Sequence, residues 1–78
     1  MITKDDYQRI GKELKDIHDF SIWLAVEMYK TPPTPSRVDE AARDFERACC
    51  VTRTAVYQWA LLECKDVPST EVHRWFFP

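Results

Sequence analysis

The prolines constrain this chain more than any other feature. Three of the five fall in one run, "TPPTPS" over residues 31–36, and on either side of it apolar residues recur at helical spacing. Proline fixes φ and disfavours helix at the residue before it, so the run is a stiff connector. It is short enough to join elements of one unit, and the 78 residues are expected to form a single helical domain. No stretch alternates over a strand's length. The expected fold is therefore all-α, a small bundle of four to five helices.

The first helical segment occupies 1–30. Tyr7, Ile10, Leu14, Ile17, Leu24 and Met28 recur at steps of three, four or seven, with Ser21 in the one missing place. This is a seam of a and d positions. Thr3 is placed to cap the segment, with Asp5 and Asp6 near its positive end. "HDFS" at 18–21 offers a break, with Ser21 as a second cap. Gly11 sits inside the helical pattern at some cost in stability.

After the connector, Ser36 is expected to cap a helix to about Cys49, with Val38, Ala41, Ala42, Phe45, Ala48 and Cys49 as its apolar face. Thr52, following Val51, is a good cap for a third helix carrying Val56, Trp59, Ala60 and Leu62 to about Cys64. "CKDVPST" turns the chain. Ser69 then caps a short last helix over 69–77, which packs back through Val72, Trp75 and Phe76.

Composition sets the outer bounds on function. An apolar share of 45% is enough for a packed core and argues against disorder. The net charge of -2 and pI near 5.6 lend nothing to a nucleic-acid partner. Cys49, Cys50 and Cys64 have no metal-ligand spacing, and an odd count suits a reducing compartment. "MITKDDYQ" is too charged for a signal peptide and no run reaches membrane-spanning length, so a cytoplasmic protein with no membrane association is expected. There is no Gly-rich phosphate loop, and His18 and His73 are not spaced as a catalytic or metal pair. No enzyme activity, metal or cofactor is expected.

The segment "ACCVTRTAVYQW", residues 48–59, resembles the helix-turn-helix of phage Cro and related repressors through Ala48, Val51, Thr52, Ala55, Val56 and Trp59. "DVPSTEVHRW" is similar to the segment after that motif in such proteins, so the likeness spans 43–75. It departs at Cys50, where a glycine usually takes positive φ, and at Glu46, where the helices usually cross on alanine. The resemblance implies a helix-turn-helix over 36–64 whose second helix, 52–64, enters the major groove of double-stranded DNA. Thr52, Arg53, Thr54, Tyr57 and Gln58 would then be the DNA-binding residues, with Leu61 beside them. Arg53 suits guanine and Gln58 adenine. Arg43 and Arg47 would touch the phosphates, unless acidic neighbours on their own helix occupy them. The implied function is a small sequence-specific transcriptional regulator of bacterial or phage type, a repressor acting as a homodimer.

The alternative is a helical protein-interaction module, an adaptor or inhibitor of a host or phage protein, that does not read DNA. The acidic balance, Cys50 and Glu46 favour it. The aromatics Phe20, Trp23, Trp75, Phe76 and Phe77 would then offer a patch for a protein partner.

Overall fold

In the computed structural model, which describes residues 2–30 and 34–78, the periodic segments become three helices. They are α1 (Lys4–Lys30), α2 (Ser36–Glu63) and α3 (Ser69–Phe76). The described residues contain no strand, so the all-α expectation holds. The number of helices does not. "HDFS" leaves α1 unbroken, because the Ser21 hydroxyl donates to the His18 carbonyl at 2.6 Å within the helix instead of capping a new one.

The helix-turn-helix corner expected at 50–52 is also absent. α2 runs straight through Cys50, Val51 and Thr52, so Cys50 lies in ordinary helix and meets no positive-φ penalty. A threonine after an apolar residue signals a cap only where the preceding turn cannot continue. Here nothing breaks that turn, and α1, 27 residues long, lies alongside as a template of matching length.

Two further caps move by one residue. Pro35 and Pro68, not Ser36 and Ser69, hold the N-cap positions. The Pro35 carbonyl accepts from the Val38 and Asp39 N–H groups, and Pro68 does the same for Glu71 and Val72. Proline at φ near -55° is already set for this role. Residues 31–33 of the proline run lie outside the described residues. At its near end, the Thr34 hydroxyl donates to the Met28 carbonyl at 2.9 Å.

Thr3 does cap α1. The Asp6 N–H donates to its hydroxyl at 3.2 Å, and the Thr3 N–H donates back to the Asp6 carboxylate at 3.0 Å. That bond holds the Asp6 carboxyl below its ordinary 3.8. Lys15, hydrogen-bonded at 2.8 Å, likewise lowers Asp19. A lowered carboxylate stabilises the fold above the unfolded value, and the effect is lost as pH falls through the folded value. The first turn of α1 should therefore fray as pH drops below 3.8, and Asp6→Asn should flatten that response. An NMR pH titration of the Thr3 to Tyr7 amides checks both.

α1 and α2 form an antiparallel hairpin. Tyr7, Leu14, Ser21 and Met28 lie on its inner seam as the sequence predicts, joined by Gly11, His18 and Ala25, while Ile10 and Leu24 stay half-buried at its edge and Ile17 turns outward. Ile17 is 43% exposed. The helix is turned because Gly11 must face α3 and His18 must face α2. On α2 the seam is Asp39, Ala42, Glu46, Cys49, Arg53, Val56 and Ala60. Alanine, serine and cysteine on these faces leave room for the two backbones to approach, and Gly11 does the same for α3.

α3 crosses only one end of the hairpin. There Tyr7, Ala60, Cys64, Val67, Val72 and Phe76 form the core, with Ile10, Leu14, Val56, Tyr57 and Trp75 against it. The other end is two helices wide, and the molecule measures 51 × 18 × 17 Å. None of the described helices is long and apolar enough to cross a membrane.

Candidate interaction face

The residues expected to read DNA are not brought onto one surface. Arg53 is half-buried and turned inward: its Nε donates to the Phe76 carbonyl at 2.6 Å, and its guanidinium lies 4.3 Å from the centre of the Phe77 ring. Tyr57 is also half-buried, against His73, Phe76 and Phe77. Arg43 pairs with Asp39 at 3.0 Å and Arg47 with Asp44 at 3.9 Å, the within-helix pairing that the acidic neighbours foretold. Thr52, Thr54 and Gln58 are exposed but point in different directions around one continuous helix.

Glu46 and His18 form a polar layer across the hairpin that sequence reasoning missed. Arg53 Nη1 lies 3.3 Å from His18 Nδ1, and His18 Nε2 lies 3.3 Å from Glu46 Oε1. Arginine can only donate, so Nδ1 accepts and the ring proton sits on Nε2, facing the carboxylate. Glu46 thus stays at the crossing, with a partner. The three residues stand 28 and 35 positions apart in sequence, and only the hairpin register unites them. Arg53 joins this layer to the end of α3. Arg53→Lys keeps the charge but loses the fork and the stacking plane. It should cost about 1–2 kcal/mol and loosen Phe77, measured by urea unfolding and amide exchange.

Burial sets the ionisation of Tyr7. It pushes the phenol above its ordinary 10, reinforced by Glu63 and opposed by a hydrogen bond from Trp59.

The outward surface carries a second apolar pattern. Val38, Ala41, Phe45, Ala48, Thr52, Ala55, Trp59 and Leu62 follow one another at alternating steps of three and four along the whole of α2. That is an uninterrupted heptad stripe with no charged residue in it. It lies to one side of the seam that faces α1, and all eight residues are exposed. Trp59 is 54% and Leu62 61% exposed.

The first four of these residues were expected to face the core together with Ala42 and Cys49. Only Ala42 and Cys49 do. Ile17 and Leu24 occupy the same side of α1, and Phe20, 53% exposed, stacks on Trp23 beside them. α3 covers the opposite side of the hairpin, through Gly11, Arg53 and Tyr57. Of the aromatics expected in a partner patch, Phe20 and Trp23 are outside, whereas Phe76 is core and Trp75 and Phe77 pack against it.

No protein-family model matches the chain, and no curated protein or solved structure matches it significantly.

Proposed function

We propose that this chain is a helical protein-interaction module whose working surface is the α2 stripe. One observation carries the reading: a charge-free heptad pattern over 38–62 lies outside the core, on the side of the hairpin that α3 leaves open. Scattered exposed apolar residues need no explanation, but a contiguous row at coiled-coil spacing has the form of a helix-docking surface. The expectation of a double-stranded DNA reader rested on a corner at 50–52 and on Arg53, and α2 has no such corner while Arg53 is committed to Phe76 and Phe77.

Ala48→Glu combined with Leu62→Glu tests the reading. Both positions are exposed, so the pair should change stability by less than about 1 kcal/mol. In dilute solution it should abolish binding of an apolar dye such as ANS. Dye binding that survives the pair, or a fold that collapses with it, contradicts the reading. So does binding to mixed-sequence duplex DNA whose affinity falls steeply with salt.

A further inference from the structure

We infer that the α2 stripe pairs with the same stripe of a second copy of this chain, antiparallel, about a two-fold axis near residue 50. This rests on the reading of the stripe as a docking surface and names its occupant.

The order of side-chain sizes along the stripe points to a second copy. When two α2 helices run antiparallel about a centre at 50, Val38 meets Leu62 of the other copy and Ala41 meets Trp59. Phe45 meets Ala55, and Ala48 meets Thr52. Each aromatic faces an alanine, and each first position of the repeat faces a fourth position, as antiparallel coiled-coil layers require. Large opposite small is also how facing helices fill space without voids. A parallel, in-register pairing would set Trp59 against itself and Ala41, Ala48 and Ala55 each against itself, alternating overfull layers with empty ones. Two-fold symmetry demands a self-complementary patch, and this one is self-complementary in spacing and in volume. Val51, 62% exposed and next to the midpoint, lies beside the axis. The Thr52 hydroxyl can bond to the carbonyl four residues back and enter the interface satisfied.

The size of the molecule agrees. Its radius of gyration is 15.2 Å, against about 11.5 Å for a compact chain of this length. It exposes 5805 Å², where a monomer of 9.3 kDa exposes about 5,000 Å². Burying the stripe with Ile17 and Phe20 would remove about 500 Å² from each copy. That gives about 1,000 Å² in all, the threshold for a specific interface.

Sedimentation equilibrium across about 1–100 μM tests the pairing on the whole chain. The wild type should be dimeric at the upper end. Ala48→Lys should weaken association by roughly 100-fold or more, with helicity unchanged. Adding Thr52→Glu should restore it, because the antiparallel register sets position 48 against 52, whereas a parallel register sets like charge against like. A wild type that stays monomeric throughout overturns the self-pairing. If it is monomeric yet binds ANS through the stripe, the interaction module stands with a different partner, and if it does neither, both readings fail. A dimer indifferent to Ala48→Lys, or one that the second substitution does not restore, also overturns the proposal.

Discussion

Gly11→Ala should destabilise this protein by about 3 kcal/mol or more and release α3 from the hairpin. The direction is opposite to the usual one, since glycine inside a helix costs about 1 kcal/mol relative to alanine. A methyl group at Gly11 would press into the Trp75 carbonyl oxygen and lie 2.7 Å from its carbon. The neighbour is backbone and cannot rotate away, so α3 must move. Moving it uncovers Val72 and Phe76, both at 0% exposure, and pulls the Phe76 carbonyl from Arg53. Urea unfolding gives the loss, and amide exchange in α3 gives its location. An alanine variant as stable as the wild type would mean that α3 does not dock on Gly11.

Phe76→Ala should cost about 3–5 kcal/mol, a large part of the roughly 4–12 kcal/mol that holds a chain this long together. Phe76 is a large core side chain on a helix of only eight residues, and it packs on Tyr57 with ring centres 5.9 Å apart. So short a helix has little stability of its own and depends on its packed face. Trp59→Ala is the informative control. Tryptophan is larger, but more than half of it is outside the core and its hydrogen bond to Tyr7 is what ties it to the core, so its loss should cost the monomer distinctly less. Thermal unfolding of the two variants side by side checks the ranking. An equal or reversed order would place the core on the other side of α2.

The sequence carried the local features of this fold, but not those that depend on helices meeting. Thr3 and Asp6 lie three residues apart and cap α1 as expected. The short last helix and the inward faces of Val72 and Phe76 were also legible, because capping and period are local signals. The break at 50–52 was misread because Val51-Thr52 has the form of a cap, and only a long partner helix alongside decides that the turn continues. That misreading hid the stripe. Val38, Ala41, Phe45 and Ala48 read as half of a core face when the helix stops at Cys49. Once it continues, Thr52, Ala55, Trp59 and Leu62 complete one heptad row. The rotation of α1 was invisible for a similar reason: Ile17 is more apolar than Gly11 or His18, yet Gly11 fits the close approach of α3 and His18 the polar layer, and Ile17 is left outside.

The continuity of α2 decides between a reading head and a docking helix, and backbone NMR measures it without perturbing the chain. Unbroken Hα(i) to HN(i+3) contacts from Ser36 to Glu63, with slowly exchanging amides at Thr52 and Arg53, are the expected result. A gap in those contacts at 50–52, with fast exchange over the first turn of a new helix beginning at Arg53, would contradict it.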